Sequence, residues 1–549
     1  MVERWYWNMS GLFKRQVNRG PIRKMMPNKG AFIKWLSFKG LPGKGLTARV
    51  LATVILIAGV ISGCARPFWK TSRTLSPHVL SSFEVSGGYW ISSPDSSISP
   101  DGKKMVIVKG DSKRYELVVM ALEGSGPNMA VVDSVDRQWT ADNFFAYVPL
   151  AWASDSRLIY ARHGWQKDGA HAGKRGLSIV AANIADKSTE EIYFVELPQG
   201  CYLRDQAFIP GKGKIYMTLS QTTGNSIWEI DVKTGKMRLV KDGLPVYGDL
   251  FQAKISPDGS HYVYSLYEEG RAGIYILDVA TGEERPLLPS GDTMSFYPSW
   301  SPDGRYVAAY TVERVPGASG TSIPSYQLFP AEDGPLPLST SITVVDKQGK
   351  LVQEIRVDGR LLADFQWAKG SPAIGFVAGI VDKDSSSSDE TYPGYPPAII
   401  RDSLWLVTVD GKSAPVKIAD VPKDGSGGQV YVDPVAVDVK GEGVFYNLYV
   451  SQERSLWYAA KGKEPVKVAD GSMTSGDTTP VYGNALVGAA TLGDKTVIWL
   501  LQPGKFQKLA EYDGAYIAGF NDTLMVVSTL GYDLSQQAKG KVTVFKMFK

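Results

Sequence analysis

The tetrapeptide Ser-Pro-Asp-Gly occurs three times in this 549-residue chain, at 99–102, 256–259 and 301–304. Each copy is followed by one or two polar residues and then by a short apolar run typical of a β-strand. Proline sets φ for the first turn position, aspartate tolerates the second, and glycine adopts the left-handed conformation that closes the hairpin. Each copy therefore predicts two antiparallel strands joined by a tight turn.

A second hairpin signal accompanies these turns. Residues 226–236 and 273–283 each contain a strand pattern, a Thr-Gly turn and the start of a return strand. Together the two signals give four antiparallel strands in about 45 residues, which is the period of a β-propeller blade. We therefore predict an all-β fold, a β-propeller of four-stranded antiparallel blades.

The hairpin pairs divide the chain into nine candidate blades. They cover residues 98–132, 151–196, 207–240, 253–288, 298–355, 365–418, 435–468, 481–509 and 516–548. The last candidate lacks a fourth strand, and a segment near Ser82–Tyr89 would supply it and remove an exposed sheet edge. Because rings of six to eight blades are usual, we predict eight, within a range of seven to nine, and expect that one blade has been divided wrongly.

These repeats resemble the WD40-like repeats of the TolB family and the propeller domains of dipeptidyl-peptidase-IV-type enzymes. The three turns, Trp300 and the hairpin at 273–283 carry the resemblance, which implies the fold but not the function. TolB proteins have a separate N-terminal domain, and this chain has only a short segment before its repeats. The peptidases add an α/β-hydrolase domain, but the chain contains no Gly-x-Ser-x-Gly nucleophile motif, so we predict that it is not a serine peptidase.

Residues 1–63 have the features of a lipoprotein signal peptide. Val50–Ile61 is an uncharged apolar run, too short for a comfortable membrane span, and eleven basic residues precede it. The following Ile-Ser-Gly-Cys sequence resembles the lipobox of bacterial lipoproteins, which implies acylation of Cys64. We predict a tether over 64–85 and the propeller over 86–549; an uncleaved anchor or a plain secretory signal is the alternative.

The net charge of +4 arises from this N-terminal region. The rest of the chain carries 49 basic and 55 acidic residues, so it is mildly acidic and has no electrostatic footprint for nucleic acid. The two cysteines, Cys64 and Cys201, provide no disulfide framework, and we predict that Cys201 is a buried thiol.

Few residues suggest catalysis or metal binding. Of the four histidines, His163 and His171 flank one loop without a cysteine or carboxylate cluster at ligand spacing. The aspartates of the Ser-Pro-Asp-Gly turns are explained by the turns themselves. Residues 382–390 lack the glycine and the terminal glutamate of a calcium loop. We predict no catalytic residues, no metal and no cofactor, although a carboxylate site in the central channel stays an alternative.

Two insertions, 312–340 and 381–402, interrupt the regular spacing between the second and third strands of adjacent blades. In a propeller such connections emerge on one face, beside the links between blades, and long loops in compact domains are often functional. Aromatic residues in the two insertions and in the links into blades 2 and 5 are candidate binding residues because Tyr and Trp dominate interfaces. They are Trp139, Phe144, Tyr147, Phe296, Tyr297, Tyr326, Phe329, Tyr392 and Tyr395.

The sequence thus predicts an extracytoplasmic lipoprotein attached to the bacterial membrane through Cys64. Its propeller is expected to bind an envelope protein or a cell-wall polymer, without catalysis, on the face that bears the insertions. One alternative is a propeller glycosidase or lyase with acidic residues at a channel mouth. Another is an accessory component of an envelope-assembly or sensory complex.

Overall fold

A computed structural model describes residues 74–549 with internal gaps. The residues left out are 1–73, 87, 91–95, 111–112, 125–127, 137–146, 167–169, 198–201, 210, 222–223, 245–252, 269–270, 292, 314–339, 382–398, 423–429, 451–452, 474–479 and 530–538. The described residues form 37 β-strands. No helix among them is long and apolar enough to cross a membrane.

Strands β1 to β17 form the N-terminal half. They are β1 (Leu75–Ser86), β2 (Gly88–Trp90), β3 (Lys104–Gly110), β4 (Arg114–Ala121), β5 (Met129–Asp136), β6 (Tyr147–Ser154), β7 (Arg157–Trp165), β8 (Arg175–Asn183), β9 (Thr189–Glu196), β10 (Tyr202–Ile209), β11 (Lys214–Gln221), β12 (Gly224–Asp231), β13 (Met237–Leu244), β14 (Lys254–Ile255), β15 (His261–Glu268), β16 (Arg271–Asp278) and β17 (Glu284–Pro289).

Strands β18 to β37 complete the fold. They are β18 (Thr293–Trp300), β19 (Tyr306–Glu313), β20 (Thr340–Asp346), β21 (Leu351–Ile355), β22 (Leu361–Trp367), β23 (Ala373–Val381), β24 (Ile399–Thr408), β25 (Val416–Asp420), β26 (Val430–Val437), β27 (Gly443–Val450), β28 (Glu453–Ala460), β29 (Val466–Asp470), β30 (Ser472–Met473), β31 (Val481–Tyr482), β32 (Ala485–Leu492), β33 (Lys495–Gln502), β34 (Lys505–Asp513), β35 (Tyr516–Phe520), β36 (Leu524–Ser528) and β37 (Lys539–Phe548).

The strands pair into nine antiparallel sheets, each a propeller blade. Blades 1 to 7 are β2–β5, β6–β9, β10–β13, β14–β17, β18–β21, β22–β25 and β26–β29, and blade 8 contains β30–β34. The predicted all-β propeller of four-stranded blades is confirmed, but the preferred count of eight is wrong. Each of the nine candidate repeats forms a sheet of its own within the described residues. The expectation that two of the candidates belong to one blade is therefore wrong.

Blade 9 joins the two ends of the described chain. Its strand order is β35-β36-β37-β1, and β1 pairs with β37 from Leu75↔Phe548 to Ser86↔Lys539. The predicted closing segment near Ser82 is therefore real, but the strand begins at Leu75. Residues 75–85, predicted to belong to the tether, are part of the propeller because Phe83 and Val85 alternate with polar residues and are buried.

The core is divided among the gaps between neighbouring blades. Nine apolar clusters occur among the described residues, and each combines side chains from two adjacent blades. The cluster between blades 9 and 1, for example, joins Val526 and Val544 to Met105 and Ile107. Because every sheet buries both faces against its neighbours, the ring closes through side-chain packing as well as through β1.

The Ser-Pro-Asp-Gly turns lie at one end of the blades. In blade 5, Ser301 Oγ donates to Asp303 Oδ1 at 2.7 Å and accepts the Tyr306 N–H at 2.9 Å. Gly304 has a φ of 67° and donates its N–H to Ser301 O at 2.8 Å, a conformation that favours glycine. The turns that begin at Ser99 and Ser256 have the same contacts, so the predicted turn role of their aspartates is confirmed.

We call this end of the blades the turn face; it contains the connections between first and second and between third and fourth strands, including 301–304 and 461–463. The opposite end is the insertion face. Residues 314–339 join β19 to β20 and residues 382–398 join β23 to β24, so both insertions leave that face, as the sequence predicts.

Candidate functional site

The inner strands of blades 5 and 6 are distorted towards the insertion face. Their pairing shifts between Phe296 and Ser299 and between Ala363 and Gln366, which marks a bulge in each strand. Tyr297 and Asp364 occupy these bulges with φ values of 53° and 50°. Aspartate tolerates this left-handed region, whereas a bulky tyrosine rarely adopts it. Such backbone strain is concentrated at functional sites, which makes the neighbourhood of both residues a candidate site.

An aromatic stack connects the two distorted strands. The Phe296 ring stacks on Tyr310 with centroids 5.6 Å apart, and Tyr310 meets Phe365 of blade 6 edge to face at 4.9 Å. The Phe365 N–H donates to Tyr310 Oη at 2.8 Å, and burial raises the pKa of Tyr310. Phe296 and Tyr297, both predicted binding residues, are thus half-buried members of a structural stack, with Tyr297 edge to face on Phe296 at 5.3 Å.

A line of four side chains, two tyrosines between two arginines, extends across blades 6 and 7. The Arg401 guanidinium lies 3.9 Å from the Tyr431 ring centroid, Tyr431 and Tyr449 are 5.6 Å apart, and the Arg454 guanidinium lies 5.8 Å from Tyr449. We call these four residues the Arg–Tyr row. All four lie near strand ends at the insertion face, and Tyr431 is 44% exposed.

The two ends of the row differ in their electrostatic environment. Arg401 forms an ion pair with Asp364, donates to Val432 O at 2.7 Å, and keeps only 16% of its side chain exposed. Arg454, by contrast, is exposed, and its guanidinium contacts Tyr449. The row therefore has a fixed, neutralised end at blade 6 and an accessible cationic end at blade 7.

Two carboxylates flank the fixed end. Burial raises the pKa of Asp433, and the negative charge of Asp364 raises it further, while the Arg401 guanidinium acts in the opposite direction. The pair is too small for a metal centre of the usual kind, and no group of three or more His, Cys, Asp or Glu among the described residues is arranged to hold a metal ion. Chemically, these carboxylates suit hydrogen bonding to a polar ligand beside the aromatic row.

The structure separates the other predicted binding residues. Tyr147 is fully buried at the start of β6, where its ring contacts Tyr160 at 5.8 Å in the gap between blades 1 and 2, so it offers no surface to a ligand. The remaining predicted residues lie outside the described part of the chain. They are Cys64, Trp139, Phe144, Tyr326, Phe329, Tyr392 and Tyr395.

In the described part of the chain, the histidines join no group of three or more side chains that could hold a metal ion. His163 is buried on β7, whereas His171 stacks on Phe194 at 4.0 Å and places Nε2 3.2 Å from Glu191 Oε1. The Ser260 hydroxyl and His261 Nδ1 are hydrogen-bonded at 2.6 Å in the turn before β15. Cys201 and the acidic segment 382–390 lie outside the described residues. The prediction that the protein holds no metal stays a prediction.

Sequence reasoning missed the Arg–Tyr row. Its members are separated by up to 53 positions in the chain and come from four different strands. The one signal available was that Arg401 lies at the end of the predicted insertion 381–402 and that Tyr449 lies near the end of an apolar strand pattern in blade 7. The sequence does not indicate that these residues belong to one row, because the row forms only where the ring places blades 6 and 7 side by side.

Comparison with known proteins supports no closer assignment. No protein-family model matches the sequence, and no curated protein matches it. Among solved structures, oligogalacturonate lyase in complex with manganese has a TM-score of 0.40 at 12% identity, over 71% of this chain and 96% of the lyase.

Two protease structures are also similar. The β-propeller domain of the Trilobed protease from Pyrococcus furiosus, described as having an open velcro topology, has a TM-score of 0.34 at 14% identity, over 64% of this chain and 96% of that domain. The tricorn protease has a TM-score of 0.34 at 12% identity, over 74% of this chain and 42% of the protease. The assignment of this chain to the β-propellers depends on its own strand order, and the TolB resemblance stays a prediction.

Proposed function

We propose that this protein is a bacterial lipoprotein, attached to the membrane through acylated Cys64, whose extracytoplasmic propeller binds an envelope protein or a cell-wall polymer. The binding is non-catalytic and takes place on the insertion face. The single observation that supports it is the Arg–Tyr row, which presents an exposed tyrosine, Tyr431, and an exposed guanidinium, Arg454, at the insertion-face end of blade 7.

The composition of the row favours a protein partner over a polymer. Tyrosine and arginine are the residue types that most often dominate protein–protein interfaces, where they combine large contact area with hydrogen bonding. Arg401 and its ion pair with Asp364 hold the Tyr431 ring in place, so little side-chain entropy is lost when a partner covers that ring.

The catalytic alternative has one supporting observation. Burial and the nearby charge of Asp364 raise the pKa of Asp433, and glycosidases use two carboxyl groups in their acid–base chemistry. Under this alternative, Asp433→Asn abolishes turnover of a glycan while leaving glycan binding intact. Under the proposed scaffold function, neither the wild type nor the Asp433→Asn variant turns over a glycan.

Photo-crosslinking in cells tests the binding proposal. A photoreactive amino acid in place of Arg454 is expected to capture the partner, whereas the same group in place of Lys463 on the turn face is not. Tyr431→Ala is expected to reduce capture about ten-fold or more, because truncating a central interface tyrosine costs about 2 kcal/mol of binding free energy.

The matched control is Leu239→Ala, which removes a comparably exposed apolar side chain from the outer strand of blade 3. Sensitivity of the captured material to protease or to glycan hydrolysis identifies its class. If Tyr431→Ala and deletion of residues 382–398 both leave every crosslink unchanged, the insertion face is not the binding surface.

A further inference from the structure

The described chain enters the propeller on the turn face. Leu75 pairs with Phe548, and the Lys549 N–H donates to Thr74 O at 3.4 Å. The neighbouring Met547 N–H donates to Thr523 O at 2.9 Å, and Thr523 belongs to the turn between β35 and β36. That turn joins the first and second strands of blade 9, as the Ser-Pro-Asp-Gly turns do in other blades.

Contacts between blades 9 and 1 support the same placement. A methyl group on Gly102, in the first Ser-Pro-Asp-Gly turn, would lie 3.0 Å from Leu524 Cδ1 and 3.8 Å from Asn521 Nδ2. The other end of β1, Ser86, pairs with Lys539, which follows the connection between β36 and β37 on the insertion face. Strand β1 thus runs from the turn face to the insertion face along the outer edge of blade 9.

The predicted tether, at its average extension, spans less than the height of a blade. Eleven residue steps separate Cys64 from Leu75, which span at most about 40 Å when extended and about 18 Å on average in a flexible chain. A strand of eight residues separates the two faces by about 27 Å. A tether of average extension therefore brings a membrane attached at Cys64 close to the turn face and leaves the insertion face beyond it.

We propose that the turn face is the surface directed towards the lipid membrane and that the insertion face, with the Arg–Tyr row, is directed away from it. The proposal rests on the lipid anchor of the proposed function. The inverse orientation requires a nearly extended tether that passes along the whole height of blade 9, with the insertions 314–339 and 382–398 also between the propeller and the membrane. That arrangement removes most of the tether's conformational freedom.

Charge does not select this orientation. Turn-face connections carry acids beside bases, such as Asp186 beside Lys187 and Asp410 near Lys412, so the face attracts an anionic membrane only weakly. The tether is the orienting element, and we expect the same orientation in neutral and in anionic vesicles.

Energy transfer to a membrane tests the orientation. The acylated full-length protein, purified from membranes, is placed in phosphatidylcholine vesicles that contain a lipid-borne acceptor dye. A fluorescent non-natural amino acid replaces either Lys463 or Glu453, both exposed and at opposite ends of blade 7. We expect transfer from position 463 to be at least two-fold more efficient. Equal transfer, or greater transfer from position 453, would overturn the proposal.

A longer tether is the control. Insertion of about twenty Gly/Ser residues between Arg73 and Thr74 is expected to remove the difference between positions 463 and 453, since the propeller then reorients freely. If mass spectrometry shows no acyl group on Cys64, the anchor of the proposed function is wrong. The orientation is then measured on full-length Cys201→Ser protein coupled through the Cys64 thiol to a maleimide lipid, with the same two outcomes.

Discussion

The two ends of the blades are built in different ways. On the turn face, the Ser-Pro-Asp-Gly hairpins repeat one hydrogen-bond pattern, in which Ser301, Asp303 and Gly304 satisfy the backbone locally. In the inner strands of blades 5 and 6, by contrast, Tyr297 and Asp364 have positive φ values at strand bulges, whereas the non-glycine residue with positive φ in the described turn-face connections, Lys187, lies in a tight turn. Repetition indicates residues selected for folding, whereas local strain and unequal loops indicate residues selected for something else.

The largest expected effect is on the turn face. Asp438 is 1% exposed and accepts hydrogen bonds from the backbone N–H groups of Lys440 and Glu442 and from Tyr458 Oη. Asp438→Ala leaves the buried Tyr458 hydroxyl and two partly buried backbone N–H groups without their acceptor, and is expected to lower the free energy of unfolding by about 3 kcal/mol in urea titrations.

Asp410→Ala is the matched control because Asp410 also accepts backbone N–H bonds, from Lys412 and Ser413, but in an exposed turn. Water replaces the lost acceptor there, so we expect a much smaller loss. An equal loss for the two variants would show that burial does not decide the strength of these turns.

An intermediate effect is expected at Tyr297. Tyr297→Ala and Tyr297→Gly both remove the ring from Phe296, but only glycine relieves the φ of 53°. We expect the glycine variant to be more stable than the alanine variant by about 1 kcal/mol, measured by urea unfolding. Equal stabilities would mean that Tyr297 leaves the left-handed region once its side chain is gone, and that the strain belongs to the ring rather than to the bulge.

The smallest effect is a pH dependence that differs in sign between the faces. On the turn face, hydrogen bonds from the Thr234 backbone and hydroxyl and from Lys214 lower the pKa of Asp231 to about 2. This group stabilises the fold above its unfolded pKa of about 4 and loses that contribution as the pH falls from about 4 to 2. Asp231→Asn is therefore expected to destabilise at pH 7 more than at pH 3.

Asp433 behaves in the opposite way. Burial and the Asp364 charge raise its pKa, so its ionised form destabilises the fold at neutral pH, and this cost disappears as the pH falls through the raised pKa towards about 4. Asp433→Asn is expected to gain stability relative to the wild type at pH 7, with the gain decreasing at pH 4 in urea titrations. A gain that is independent of pH would assign the effect to packing instead of charge.

Much of the fold was predictable because its signals are local. Each Ser-Pro-Asp-Gly turn sets its own backbone geometry, and a short apolar run of mostly buried residues follows it, as in β3. The usual range of propeller sizes did not predict the number of blades. The number of hairpin repeats in the sequence, nine, equals the number of blades in the structure. The binding residues were harder to predict than the fold. Tyr147, for example, lies in a predicted link between blades, yet its side chain packs between two blades.

The sequence by itself determined the hairpins, the four-stranded unit and the closure by an N-terminal segment, since each depends on residues within one repeat or on a single missing strand. Only the tertiary structure decided that Arg401, Tyr431 and Arg454 form one line and that the chain enters on the turn face. Those features depend on which strand ends the ring brings together. Contacts between separate repeats are fixed by packing across the blade gaps, and no short stretch of sequence encodes them.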